Sequence, residues 1–340
     1  MIDDIRIVID LNHEPIDAVE FLPNGERKPP RRKKIYGARD CTVRVRSIRE
    51  GTQLVIEGSF AGYLQGHNVF GTMRLGTLVK AVVLKVLKEL EIKPAPRESN
   101  KIKQGDVKLE RLDVVGFMNC DPFGGAPFVI RALDAGLIGS NTIKFVAPSE
   151  TMIYNAKSSY WSLMFYNKEL QMEKKLGDAW QEFDERIRKF VEKYIRIELR
   201  LLGKELHAHG ITKVQDVTRA WLRERFSQRI QELFNDLSAT TISFPPVASK
   251  LDKLELQARL CALGCDVISP LPASTRRRAL REIEARYGVK GTRLGAVPAF
   301  QQRTLADFRQ LKWYHGAPGS FKEAGLVFGE DKVSDMVAAG

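Results

Sequence analysis

The chain has 340 residues, a formal net charge of +12 and a pI near 9.5. Apolar residues make up 44%, which supports a packed core and excludes wholesale disorder. No uninterrupted apolar run reaches the ~18 residues of a membrane-spanning helix, and the basic excess favours a polyanionic partner.

The opening MIDDIRIVID reads as a strand. It has neither the basic start nor the apolar stretch of a secretion signal, so the expected location is the cytoplasm. Residues 23–37, PNGERKPPRRKKIYG, read as a proline-broken loop in which Arg31, Arg32, Lys33 and Lys34 form a basic run. That run is either a solvated loop or a contact to a phosphate backbone. Residues 41–48 and 52–60 alternate apolar and polar around Glu50-Gly51, a hairpin signal. Over 75–91 the period changes: Leu75, Leu78, Val79, Val82, Val83, Val86, Leu87 and Leu90 fall on one helical face.

A polar linker over 91–106 leads to a strand at 108–120. A helix near 126–136, a strand near 142–147, strands around 150–171 and a helix over 178–192 follow. Residues 193–202, KYIRIELRLL, alternate strictly, with Arg196, Glu198 and Arg200 on one face. Past residue 203 helical patterns dominate, at 214–236, 250–263, 274–287 and 302–311. The expected architecture is therefore α+β. An antiparallel sheet with packed helices is expected over 1–210, and a basic, mainly helical domain over 211–340 follows. Each part has a net charge of +6, so the shorter one is the more densely charged. Arg276, Arg277 and Arg278 open one of its helices and are candidates for phosphate contact or for a solvated face.

Cys41, Cys120, Cys261 and Cys265 lack metal-ligand spacing and read as reduced thiols. No phosphate-binding G-x-x-x-x-G-K-[ST] loop is present. An enzyme acting on nucleic acid would work without an ATP motor of its own. His207-Ala-His209 resembles a metal-binding pair, but the flanking Gly203 and Gly210 suggest a short helix with a glycine stop. Its i and i+2 side chains would diverge there. His67 sits in LQGHNVFGT between Gly66 and Gly71, and glycine lets backbone approach a ligand closely. Asp113, mid-strand in RLD, and Glu198, mid-strand in RIELR, are each either paired with a neighbouring arginine or ligands for Mg²⁺ or Mn²⁺.

The run SSYWSLMFYNKELQ places Tyr166 and Lys168 on one strand face, in line with Tyr160 and Met164. Tyr166 is either a packing residue or a nucleophile. As a nucleophile it needs a neighbouring cation or metal, because an isolated phenol has a pKa near ~10. A tyrosyl phosphodiester roughly conserves the energy of the bond it replaces, so such a step reverses without ATP.

LQGHNVFGT, ERLDVV, TMIYNAKSSYWSLMFYNKELQ and YIRIELR, in this order, resemble the gene II replication initiators of filamentous bacteriophages. The resemblance is strongest over residues 55–205. It implies a rolling-circle nicking and joining enzyme acting on supercoiled replicative-form DNA at the plus-strand origin, with Mg²⁺ as cofactor. It places the family's catalytic tyrosine on Tyr166, beside Lys168 of the strand reading; His67 and Asp113 fall on positions shared with the family and, with Glu198, are metal or active-site candidates by their chemistry. The implied partners are the double-stranded origin, the displaced single strand, and the host helicase and polymerase, in a bacterial cytoplasm without membrane attachment. An oligomer on DNA fits the same picture. The family's tyrosine does not fall on Tyr154 or Tyr160, and HAH has no counterpart. Two other readings share the composition: a DNA-binding regulator without catalysis, and a plasmid-type relaxase.

Overall fold

A computed structural model describes residues 1–16, 32–120, 143–147 and 151–239, with short stretches at 126, 129–130, 133, 274–275, 277–279, 281–282, 313–314 and 328. Among the described residues, ten strands form one sheet. In chain order they are β1 (Ile2–Asp10), β2 (Lys33–Tyr36), β3 (Thr42–Ile48), β4 (Gln53–Ser59), β5 (Lys108–Asn119), β6 (Ile143–Ala147), β7 (Thr151–Tyr154), β8 (Trp161–Asn167), β9 (Tyr194–Leu202) and β10 (Trp313–Tyr314). Their order across the sheet is β2-β3-β4-β1-β5-β9-β8-β7-β6, with β10 paired to β5 and every pairing antiparallel.

The expected hairpin is β3–β4. Arg49, Glu50 and Gly51 all turn through positive φ (49°, 56° and 85°) to reverse the chain. Helix α1 (Phe60–Gln65) follows, capped by the Ser59 hydroxyl and ended by Gly66 at φ 81°, a conformation that glycine adopts without strain. Helix α2 (Leu75–Glu89) buries Leu75, Leu78, Val79, Val82, Val83, Val86 and Leu87, each worth about 1.5–3 kcal/mol. They meet Ile5, Ile7, Ile9, Val43, Val45, Leu54 and Ile56 on one face of the sheet. Helix α3 (Pro96–Gln104) starts with proline in its first turn and Glu98 closing a backbone cap.

A second core lies on the opposite face. Helices α4 (Lys168–Leu176) and α5 (Glu185–Lys193) bring Met172, Ile187, Phe190 and Val191 against Val115, Phe117 and Phe70. Trp180 and Phe183 fill the joint between them. This core covers part of its face and leaves the rest to charged side chains.

Several expectations are corrected. The strands around 150–171 end at Asn167, and Lys168 begins α4, because the Asn167 side chain accepts the Leu170 N–H at 3.2 Å and caps the helix. The loop over 23–37 ends in strand β2 at Lys33–Tyr36, where Ile35 is buried and its neighbours are exposed. After α6 (Gly203–Ala208), helix α7 (Arg219–Ala239) adds Leu222, Phe226, Ile230 and Leu233 to the first core. Strands also resume late, since β10 pairs Trp313 with Met118 and Tyr314 with Phe117. The helix expected near 126–136 is borne out at Ala126, Val129, Ile130 and Leu133, all helical and buried. Residues 274–275, 277–279 and 281–282 are helical as expected. The helices expected at 250–263 and 302–311, and Cys261 and Cys265, lie outside the described residues.

Candidate active site

Tyr166 lies on β8, opposite Arg196 of β9 and Thr151 of β7. Antiparallel pairing puts these side chains on the face that carries the second core. The Tyr166 side chain is buried, and its hydroxyl donates to Glu198 Oε1 at 2.6 Å. Burial drives the phenol well above its usual pKa. Arg196 opposes that shift and the Glu198 carboxylate adds to it. The resting state is therefore a neutral phenol held against a carboxylate, a donor already aimed at a proton acceptor.

Glu198 is fixed in turn by Arg196, whose Nε donates to Oε1 at 2.8 Å and whose second terminal nitrogen lies 2.7 Å away. The Arg196 guanidinium is fully buried. It also donates to the Asp3 carboxylate and to the Asn68 carbonyl. Burial works against its charge, but Tyr166, Glu198 and Asp3 outweigh that and hold its pKa above the usual range. The Asp3 carboxylate accepts from the Ser59 hydroxyl and, at 2.8 Å, from the Asn68 amide. The Asn68 oxygen accepts from Lys168 Nζ at 2.8 Å, and Lys168 also donates to Gln171 Oε1 at 2.6 Å. One connected network thus runs Tyr166–Glu198–Arg196–Asp3–Asn68–Lys168.

Asp3 reaches this network because of a β-bulge. Ile2 pairs with Val114 and Ile5 with Leu112, so β1 spends one more residue than β5 between them. Asp3 and Asp4 then both leave the first core, Asp3 toward Arg196 and Asp4 toward Arg111. Strict alternation would have buried one of them among apolar side chains.

Lys168 is buried at the first position of α4, which brings a cation to the network instead of leaving it on a strand face. Burial, with Arg196 next, lowers its pKa to about 7. Its ammonium lies 5.9 Å from the Tyr166 ring centre, and the Arg196 guanidinium lies 5.7 Å away. Both cations favour negative charge on the phenol oxygen. A cleft of about 320 Å³ opens beside Tyr166, lined by Thr151, Met164, Asn167, Leu170, Gln171, Lys174 and Lys175.

The three residues expected to share a metal are not gathered. Among the described residues, no three His, Cys, Asp or Glu side chains form a group that could hold an ion. Asp113 is clasped by Arg200 at 2.7 and 3.1 Å, and Glu198 by Arg196. Each carboxylate is already matched by a guanidinium, so the arrangement does not fit a common Mg²⁺ or Mn²⁺ ion. Burial pushes the Asp113 pKa up to about 7 against the pull of Arg200. His67 is buried with Nδ1 3.3 Å from Gln65 Nε2, and its neighbour Asn68 makes the network contact. The HAH segment is the expected short helix, with His209 3.5 Å from Glu205 and Gly210 at φ 72°.

Of the expected DNA contacts, Arg31 and Arg276 lie outside the described residues. Arg32 pairs with Glu57, while Lys33 and Lys34 are exposed on β2. Arg277 and Arg278 are exposed on their helix, beside Arg281 and Glu282. Sequence reasoning missed Asp3, Ser59, Asn68, Arg196 and Gln171 as members of the site. The available signal was the Asp3-Asp4 pair inside an apolar strand, since acids are seldom buried unless paired.

The family of the N-terminal region of the phage replication-associated protein, the gene II product, matches residues 1–220. The replication-associated protein of Enterobacteria phage I2-2 is 28% identical over 124 residues, which is 34% of this chain and 36% of that protein. The chain therefore matches about a third of that relative's length. A solved rolling circle replication initiator protein from Geobacillus stearothermophilus shares 14% identity, covering 64% of this chain and 78% of that one at a TM-score of 0.30. With residues 1–220 matched by one family and the Tyr166 network inside that span, the chain belongs to the phage replication-associated protein family, the gene II type of replication initiator.

Proposed function

We propose that the chain nicks the plus-strand origin of supercoiled replicative-form DNA through Tyr166, and later rejoins the displaced strand. The observation that carries this reading is the buried hydrogen bond from the Tyr166 hydroxyl to Glu198 at 2.6 Å. A buried tyrosine hydroxyl needs a partner in any role, and a carboxylate is the partner that can also accept its proton.

Glu198 takes the phenol proton as the Tyr166 oxygen attacks phosphorus. The bond to the 3′ oxygen breaks, and that oxygen leaves and takes up a proton from water. The 5′ phosphate is then esterified to Tyr166. Arg196, and Lys168 in its protonated form, stabilise the charge that builds on the phenol oxygen, in a site where burial strengthens each interaction. Lys174 and Lys175 on the rim of the cleft suit the flanking phosphates. In the reverse direction a 3′ hydroxyl gives its proton to water as its oxygen attacks the phosphotyrosine, the bond from phosphorus to the Tyr166 oxygen breaks, and Glu198 returns the proton to that oxygen. No nucleotide is consumed, in keeping with the missing phosphate-binding loop. No step is assigned to a divalent ion, because Asp113 and Glu198 are held by arginines. Mg²⁺ and Mn²⁺ remain variables of the assay.

The test is incubation of the purified chain with supercoiled DNA carrying the origin, with and without Mg²⁺ or Mn²⁺. Wild type should yield open circles, and Tyr166→Phe should bind the same DNA and yield none. Binding without cutting by wild type under every ion would instead make the chain a DNA-binding regulator.

A further inference from the structure

The part of the Tyr166 face that α4 and α5 leave open carries a row of side chains in register. Lys34 lies opposite Arg44, Arg44 opposite Glu57, Glu57 opposite Arg6, and Arg6 opposite Arg111. Arg111 faces Leu202, whose N–H donates to the Tyr160 carbonyl at 2.8 Å. The row crosses from β2 to the start of β8. Six steps of about 4.8 Å make it about 29 Å long.

Its charge is arranged in an unusual way for a sheet surface. Glu57, nearly buried, has Arg6 at 3.7 Å, Arg44 at 3.4 Å and Arg32 around a single carboxylate. Arg111 is held by Asp4, and Arg6 also meets Glu110 at 2.9 Å. Lys34 and Arg44 stand directly opposite with like charge, a placement that weakens strand pairing. The acids fix the guanidiniums in place without neutralising the row.

Each end of the row carries an exposed tyrosine. Tyr36, on the same face as Lys34 and two residues from it, is 63% exposed. Tyr160 is 46% exposed, with Lys204 Nζ 5.9 Å from its ring centre. An open face that combines a cationic track with exposed aromatic rings matches one ligand chemistry. It suits a polyanion whose flat bases are free to stack. A duplex offers phosphates but keeps its base faces inside.

We infer that this face is a platform for single-stranded nucleic acid. The arginine row meets the backbone, and Tyr36 and Tyr160 stack bases. The identity of that strand as the DNA cut at Tyr166 rests on the proposed nicking reaction; the platform chemistry does not. Tyr160 lies six residues from Tyr166 along the strand, about 20 Å, so a strand held on the row extends several nucleotides from the cutting site.

The experiment is fluorescence anisotropy with the full chain, using a labelled oligothymidine of about 20 nucleotides and a duplex of equal length. Tyr36→Ala and Tyr160→Ala should each weaken single-strand binding about tenfold and leave duplex binding within about twofold. Arg44→Gln should weaken both and flatten the salt dependence. All three side chains are exposed, and an unchanged circular dichroism spectrum checks that the variants fold. Single-strand affinity within about twofold of wild type in the Tyr36→Ala/Tyr160→Ala double variant overturns the inference, as does an equal loss on duplex. Covalent attachment by wild type, run in parallel, reports on nicking separately. If attachment fails while the tyrosine dependence holds, the platform stands and the nicking reading falls.

Discussion

Arg196→Met would remove the one cation that bridges Glu198 and Asp3 while keeping a long apolar stem in place. The guanidinium is fully buried. Its loss leaves two carboxylates with only the Tyr166 hydroxyl, the Ser59 hydroxyl and the Asn68 amide as partners. Removing one partner of a buried charge network costs about 3–5 kcal/mol, because the remaining charges stay desolvated and unpaired. At roughly 2–4 °C per kcal/mol for a large domain, the melting temperature should fall by about 6–20 °C. Adding Asp3→Asn and Glu198→Gln to Arg196→Met removes the unpaired charges and should recover most of the loss. Urea unfolding followed by tryptophan fluorescence measures both effects. A loss under about 1 kcal/mol, or a triple variant as unstable as the single one, would refute the claim that Arg196 holds the site together by charge.

Glu198→Gln keeps the shape of the acceptor and removes its basicity. Covalent attachment to DNA should slow by about 10²–10⁴-fold in a quench-flow or gel assay with DNA binding retained, and an unchanged rate would assign the proton to another group. Lys168, with its pKa lowered to about 7, is neutral in the fold over a range where the unfolded side chain is still protonated. Wild-type stability should therefore climb relative to Lys168→Met as pH rises from about 7 toward ~10.4; parallel curves for the two proteins would contradict this. Asp113, raised to about 7, acts in the opposite sense. Relative to Asp113→Asn, wild type should lose stability as pH rises from ~3.9 to about 7, read from urea midpoints across that window.

The sequence made the strands and α2 legible because their apolar period is uninterrupted. The eight-residue stripe from Leu75 to Leu90 and the alternation of KYIRIELRLL leave little choice of element. It also singled out Tyr166 and Glu198, each on a correct strand. Three things were hidden, each for a physical reason. Lys168 reads as a strand continuation until the Asn167 cap is recognised, and a cap is a single hydrogen bond with no periodicity. Asp3 enters the site through a β-bulge, a register event between partners more than a hundred residues apart. Asn68 was overlooked beside His67 because an amide that links an aspartate to a lysine has no spacing signature. The arginine pairing of Asp113 and Glu198 was open as one of two alternatives; Arg200 reaches Asp113 across the β5–β9 register, and Arg196 reaches Glu198 along β9 itself.

The central claim is that the Tyr166 oxygen becomes bonded to a 5′ phosphate. The most direct measurement is digestion of the protein–DNA adduct formed on origin DNA, followed by mass spectrometry of the modified peptide. The account predicts a nucleotide on the peptide that contains Tyr166, on its phenol oxygen, and no adduct with Tyr166→Phe. An adduct on Tyr160 or Tyr154, or one that survives Tyr166→Phe, would contradict it.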